Sequence, residues 1–157
     1  MADEVTFFDE IEAYCSELSV ASGARLGVHV STNCTGFDVR VERWGAERET
    51  VHEETGRSGT FHEAPADADS DGCHWPVSFE LEIDPSWRSG FYLMTLTAHG
   101  AADGRNVTHA GFVVHAPASE RGRALLVLGT NTWNAYNTWG GASLYTGGHQ
   151  VSFRRPW

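Results

Sequence analysis

Short runs in which apolar and polar residues alternate occupy most of the chain before residue 117. The clearest runs are 26–30, 37–41, 77–83, 91–98 and 106–115. A period of two predicts β-strands with one buried face, and no helical period separates these runs. Six or seven such strands joined by turns predict a mainly β fold, an antiparallel immunoglobulin-like β-sandwich, over residues 1–117.

Two stretches in this region lack a clear pattern. Residues 6–14 are compatible with a short helix or an entry strand, and the polar stretch 46–74 predicts one weak strand, Glu49 to Glu53, between long loops. Asp67 to Gly72 matches the first half of an EF-hand calcium loop, but Ser78 stands where the bidentate Glu should be. We therefore predict a solvated acidic loop there, with calcium binding as the alternative.

The pattern changes abruptly after residue 117. Residues 118–123 form a small polar linker, and Ala124 to Gly129 is a continuous apolar run without alternation. Such runs are typical of a strand buried on both faces of a parallel α/β sheet, which needs neighbouring strands. Residues 124–157 are too few to supply them, so we expect the first strand and loop of an incomplete α/β domain.

Composition excludes several classes of function. The formal net charge is −10, which argues against nucleic acid and anionic membranes as partners. All eleven basic residues are Arg, so mechanisms that depend on a lysine are excluded. No apolar run reaches the roughly 20 residues that span a bilayer. Because the N-terminus is acidic rather than basic and apolar, we predict a cytoplasmic protein with its three Cys reduced.

The loop after the apolar run, residues 130–148, is rich in Asn, Trp, Tyr and Gly. Ligand sites in open α/β sheets lie beyond the carboxyl ends of strands, and amides and indoles fix small polar ligands. The alternative is an aromatic loop that merely packs against the sandwich. The predicted substrate-binding residues are Asn131, Trp133, Asn134, Asn137 and Trp139.

A complete catalytic set is not visible in the sequence. The eight His residues lack metal-ligand spacing, which disfavours a zinc site, and Ser143 lacks the second Gly of a nucleophile elbow. The catalytic residues therefore stay unknown, and an autonomous small hydrolase is the least favoured reading.

Two C-terminal motifs resemble those of a known family. Asn131 to Tyr145 resembles the T-W-x-A-Y-N…G-G-x-S-L-Y signature of the large (β) subunit of N,N-dimethylformamidase and its relatives, and residues 151–157 resemble its V-S-F-x-R-P-aromatic segment. Weaker similarities follow upstream in the same order, so the likeness runs from about residue 11 to the end. They are at residues 11–15, 28–32, 41–45 and 87–92.

The resemblance implies a β-sandwich that leads into a domain similar in fold to glutamine amidotransferases. In the family that domain is an amidase, a hydrolase of small amides that uses a mononuclear iron held by tyrosine oxygens and a glutamate. A hard cation prefers oxygen ligands. Tyr136, inside the matching motif, is the implied metal ligand. Tyr145 is a second candidate, with core packing as its alternative, and Trp157 stands where the motif often has a Tyr.

The glutamate ligand would lie beyond residue 157. We therefore expect the N-terminal portion of a dimethylformamidase-like metal-dependent amidohydrolase, inactive until a second polypeptide, or a homo-oligomer, completes the α/β domain. In the isolated chain, Leu125 to Leu128 would then be exposed. The alternative is a non-catalytic β-sandwich binding or assembly module with a vestigial C-terminal tail.

Overall fold

The computed structural model describes residues 10–100, 106–116, 119 and 125–157. Eight strands and one short helix form in this part of the chain. They are β1 (Ile11–Cys15), β2 (Ser19–Ala21), β3 (Arg25–Thr32), β4 (Gly36–Trp44), β5 (Arg48–Ser58), β6 (Phe79–Glu82), β7 (Gly90–Ala98), β8 (Val107–His115) and α1 (Thr130–Tyr136). The mainly β fold is confirmed.

The strands form two sheets, with orders β1-β3-β6 and β2-β8-β7-β4-β5. All pairs are antiparallel except β2 with β8, in which Ser19–Ala21 runs parallel to Val113–His115. The larger sheet is therefore mixed, and the prediction of a wholly antiparallel sandwich is wrong at this edge. Because β2 and β8 lie far apart in sequence, no hairpin forces them to run in opposite directions.

One hydrophobic core lies between the two sheets. Alternate residues of β7, among them Met94 and Leu96, belong to the same buried cluster as Leu26 and Val28 of β3. The period-two runs of the sequence supply these inward side chains, which are withdrawn almost completely from water. Their burial is the main stabilising contribution to the sandwich.

β5 is longer than the weak strand predicted at Glu49 to Glu53. It spans eleven residues, lies at the edge of the larger sheet and exposes many of its side chains. Its contacts to β4 include an ion pair between Arg40 Nε and Glu53 Oε1 at 2.8 Å. An edge strand of this kind needs little apolar surface, so the hydrophobic pattern underestimates it.

A third layer covers the outer face of the smaller sheet. Tyr14 and His29 point away from the core, and their rings stack with centroids 4.5 Å apart. Trp75, from the long connection between β5 and β6, packs against Tyr14. Tyr14 and Trp75 belong to a second buried cluster on this face, and Trp139, which follows α1, packs against it. The end of the chain is therefore attached to the outer face of the smaller sheet.

The apolar run after the linker does not form a strand in this chain. Residues 125–129 have no regular secondary structure, and Leu125 and Val127 are 87% and 78% exposed. The expected exposure of this run in the isolated chain is thus observed at three of its residues, whereas the expected strand is absent from its described residues. Residues 130–136, predicted as loop, form α1 instead. Most of the predicted linker 118–123 lies outside the described residues.

Candidate functional site

The predicted site residues all lie in residues 125–157, here called the C-terminal segment. This segment contains no Asp or Glu, and Arg154 and Arg155 are its only Arg residues. It also carries most of the large hydrophobic side chains that the described chain exposes. They are Leu125, Leu126, Val127, Trp133, Tyr136, Leu144, Tyr145 and Trp157. A surface with few charged residues and many aromatic ones is typical of the buried centre of a protein interface.

The C-terminal segment is held on the sandwich by residues 67–73, here called the docking loop. The Cys73 amide donates to the Arg154 carbonyl at 2.8 Å, and the Ser152 amide donates to the Asp69 carbonyl at 2.8 Å. The Asp69 carboxylate accepts from the Ala142 amide at 2.9 Å. The prediction of a solvated acidic loop agrees with the exposure of Asp67 and Asp71, but it is wrong for Asp69, whose carboxylate binds backbone, and for Ala68, which is completely buried.

Gly140 permits a close approach between the segment and the docking loop. Its φ of +82° lies in the left-handed region, and a Cβ at this position would come within 3.0 Å of the Asp69 backbone nitrogen. Only glycine satisfies both constraints without displacing the loop. The tight Trp-Gly-Gly turn in the motif is thus required by docking against the sandwich.

Arg155 is the central hydrogen-bond donor of the C-terminal segment. Its side chain is fully buried, and its three nitrogens donate to five backbone carbonyls at 2.6 to 3.5 Å. Burial lowers the pKa of the guanidinium, and the Asp69 carboxylate opposes that shift. The five acceptors belong to Asn134, Asn137, Trp139, Ala142 and Ser152.

The two phenols that the family resemblance singles out lie side by side. The Tyr136 and Tyr145 rings stack with centroids 4.2 Å apart and planes 12° apart. A hydrogen bond with Tyr145 and the charge that Tyr145 can carry raise the pKa of Tyr136. Tyr136 is 59% and Tyr145 is 65% exposed, so core packing does not explain Tyr145 in this chain.

The backbone explains why these two tyrosines meet. The Leu144 amide donates to the Ala135 carbonyl at 3.1 Å, which joins the residues immediately before the two tyrosines. Ser143, buried beneath this turn, accepts from the Tyr145 amide and lies 3.1 Å from the Thr146 hydroxyl. Its hydroxyl thus shapes the turn and is not placed as a nucleophile.

Three of the predicted substrate-binding residues make structural contacts. Asn137 donates to the Pro156 carbonyl and accepts from the Trp139 amide, at 2.8 and 3.0 Å, so both ends of its amide are engaged. Trp139 packs edge-on against Trp75. Asn134 is 3% exposed, and its Oδ1 is a buried acceptor with no hydrogen bond among the described residues.

The other two lie nearer to solvent. Asn131 is exposed on α1, and Trp133 packs edge-on against Trp157 with ring centroids 6.0 Å apart. The five residues thus differ in burial and in the partners that they contact, and their role in substrate binding stays a prediction. Arg155 and Asp69, which organise the segment, were not among the predicted residues. The only sequence signal for Arg155 is its place in the V-S-F-x-R-P-aromatic motif.

The thiols are poorly suited to nucleophilic chemistry. All three cysteines are free. Burial raises the pKa of Cys15 and of Cys73 to about 12, so both stay protonated at neutral pH. Within the described ranges, no group of three or more His, Cys, Asp or Glu side chains is placed to hold a metal ion.

Comparison with known proteins gives one clear result. The family model described as "N,N-dimethylformamidase beta subunit-like, C-terminal" matches residues 38–157, a range that includes most of β4, all of β5 to β8 and the whole C-terminal segment. No curated protein matches the chain. Among the described residues, no helix has both the length and the apolar character required to cross a membrane.

Proposed function

The chain belongs to the N,N-dimethylformamidase beta subunit-like family, and from that membership we propose that it contributes to a metal-dependent amidohydrolase of small amides. In this proposal the immunoglobulin-like sandwich supports an incomplete α/β domain similar to glutamine amidotransferases, which begins in the C-terminal segment. The rest of that domain lies outside residues 125–157 and is supplied, in this proposal, by a second polypeptide, without which residues 1–157 are inactive.

The observation that carries the proposal is the exposed phenol pair, Tyr136 and Tyr145, on a segment without acidic residues. Two adjacent phenols do not readily ionise together, because the first phenolate disfavours the second. A bound cation removes that conflict and favours phenolate oxygens as ligands. The residues present thus fit an iron site in part, with Tyr136 as the ligand and Tyr145 as the second phenol.

Bound iron would polarise an amide carbonyl and activate a water molecule. The chain's own residues would position the small amide, and Asn131 and Trp133 are the two predicted binding residues that stand exposed on α1. The remaining oxygen ligand, a glutamate in the family, would come from outside residues 125–157, since these contain no Glu.

The exposed apolar run, Leu125 to Leu128, supports the need for a second polypeptide. Three of its side chains face solvent, although their pattern is that of a strand covered on both faces. Strands of the completing polypeptide would pair on both sides of this run. The alternative is that a second copy of this chain covers the run. The C-terminal segment of that copy would not supply the glutamate that holds iron in the family, because residues 125–157 contain no Glu.

The experiment is affinity purification of the chain from its own host, with its C-terminus untagged, followed by metal analysis and an assay on small amides. We expect a stoichiometric second polypeptide, iron, and amide hydrolysis. Tyr136→Phe should keep the polypeptide and lose the iron. Trp133→Phe is the matched control, because it changes an exposed aromatic side chain on the same helix without removing a phenol.

The second candidate is a non-catalytic β-sandwich module with a vestigial tail. It is favoured by the structural use of Asn137 and Trp139, whose side chains contact the segment and the sandwich. Recovery of a lone, metal-free species from the host would support it over the amidohydrolase.

A further inference from the structure

We infer that Arg155 is a positioning residue. It binds backbone carbonyls on either side of Tyr136 and another shortly before Tyr145, and so holds the two phenols side by side. Its importance for catalysis rests on the proposed function, but the geometry that it controls does not. The inference concerns how the segment presents its two phenols and which part of the molecule sets their spacing.

The hydrogen bonds of Arg155 connect the two backbone stretches that carry the tyrosines. Nη2 reaches the carbonyls of Asn134 and Asn137, which flank Tyr136 in sequence, at 3.5 and 3.0 Å. Nη1 reaches the Ala142 carbonyl, three residues before Tyr145, at 3.3 Å. The planar guanidinium fixes the directions of its five N–H groups, so these stretches cannot shift independently.

Among the residues that the structure describes, little else joins these two stretches. The Leu144 amide to Ala135 carbonyl bond is the backbone hydrogen bond between them. α1 has only seven residues and no side-chain cap, so it is too short to be stable by itself. A buried guanidinium with five carbonyl partners is therefore the main constraint on the tyrosine spacing.

Arg155 is in turn held by the sandwich. Nε donates to the Ser152 carbonyl at 3.1 Å, and the Ser152 amide donates to the Asp69 carbonyl of the docking loop. The Asp69 carboxylate binds the Ala142 amide, beside a carbonyl that Arg155 binds. The docking loop thus acts on the tyrosine pair through Arg155, which explains how a sandwich remote from the phenols contributes to their geometry.

The test is dityrosine formation in the full chain under ruthenium-sensitised photolysis with persulfate as the oxidant. Each phenol loses one electron and one proton, and the two tyrosyl radicals of one chain form the new C–C bond when their rings are in contact. Chymotryptic cleavage after Trp139 separates the two tyrosines, so a cross-linked peptide pair reports Tyr136 joined to Tyr145. Tyr145→Phe abolishes this product and identifies it. No iron is needed, so failure of the iron proposal and failure of this inference are distinguishable.

We expect Arg155→Lys to lower the cross-link yield by at least about fivefold. An ammonium has fewer N–H donors than the five carbonyls need, and each lost hydrogen bond shifts an equilibrium by about that factor. Arg154→Lys is the matched control, because Arg154 is exposed and its backbone, not its side chain, binds Cys73. It should give the wild-type yield. Equal yields for Arg155→Lys and the wild type would overturn the inference.

A second variant separates positioning from general destabilisation. Asp69→Ala removes one hydrogen bond to the segment and keeps the guanidinium, so we expect a yield between those of Arg155→Lys and the wild type. Amide exchange of β4 and β7 should stay unchanged in both variants. If the loss of cross-link instead accompanies loss of protection in β4 and β7, Arg155 only supports the fold and the inference is wrong.

Discussion

The sandwich and the C-terminal segment are stabilised in opposite ways. The sandwich buries apolar side chains from two sheets in one core, with acidic and basic residues on its surface. The segment buries a guanidinium and backbone polar groups, and it turns its large apolar side chains to solvent. A region of the second kind is not a complete domain, because hydrophobic burial is what normally offsets chain entropy.

Because the sandwich buries the apolar side chains, the largest loss of stability is expected from a substitution in its core. Phe112, on β8, is almost fully buried and stacks on Tyr92. Phe112→Ala should lower the global free energy of unfolding by about 3–5 kcal/mol. Urea denaturation followed by circular dichroism measures this. Leu126→Ala in the exposed run is the control, and a comparable loss there would show that the run is buried.

Weakening the contact between the two regions should open the C-terminal segment while the sandwich stays folded. Trp75 is buried between Tyr14 and Trp139. Trp75→Ala should expose the C-terminal segment, with up to about 3–5 kcal/mol of lost packing appearing as local opening. Hydrogen exchange is expected to speed up at Leu144 and Ser152 and to stay slow in β7. Equal acceleration in β7 would contradict separate regions.

Docking against the sandwich can be weakened at a single glycine. Gly140→Ala carries left-handed strain of roughly 1–2 kcal/mol and also presses a methyl group on Asp69. Gly56→Ala is matched, because its φ of +75° is similar and nothing lies within 4 Å of the added carbon. We expect Gly140→Ala to release the segment and Gly56→Ala to show the strain alone, both by denaturant titration. Equal effects would mean that the close approach does not matter.

Alkaline pH should weaken the contact layer gradually. Burial raises the pKa of Cys73 from 9.0 to about 12 and that of Tyr14 from 10.0 to about 12. The unfolded chain therefore loses protons first, so stability is intact below pH 9 and declines as pH rises towards 12. Cys73→Ala should flatten the first part of this decline, measured by hydrogen exchange of Ser152 at several pH values in reductant. An unchanged profile would contradict the burial of Cys73.

The sequence predicts the sandwich better than the site, for a physical reason. Alternation in residues 91–98 reports which side chains face the core, so β7 is found almost at its observed bounds. β5 was underestimated because an edge strand is held by ion pairs and backbone bonds rather than by apolar residues. The parallel pairing of β2 with β8 joins residues that are far apart in sequence, and no local pattern reveals it.

The candidate site is predicted only in part. The motif directs attention to the C-terminal segment and to Tyr136, whose role as a metal ligand stays a prediction. It does not reveal that Tyr145 stacks on Tyr136 or that Asp69 binds this segment. Arg155 was missed because a lone arginine in a loop is usually solvated, and burial on five carbonyls depends on tertiary structure. The binding of the segment by the acidic docking loop was missed for the same reason, since it too depends on tertiary structure.

The most direct test of the account is radical footprinting of aromatic side chains in the free chain and in the complex purified from its host. In the free chain, Trp133, Tyr136 and Tyr145 should be modified quickly and Trp75 slowly, as their exposure requires. In the complex, the account predicts protection of Tyr136 and Tyr145 with no change in Trp44 on the sandwich. Unchanged modification of both tyrosines in the complex would contradict the claim that the C-terminal segment is completed by a second polypeptide.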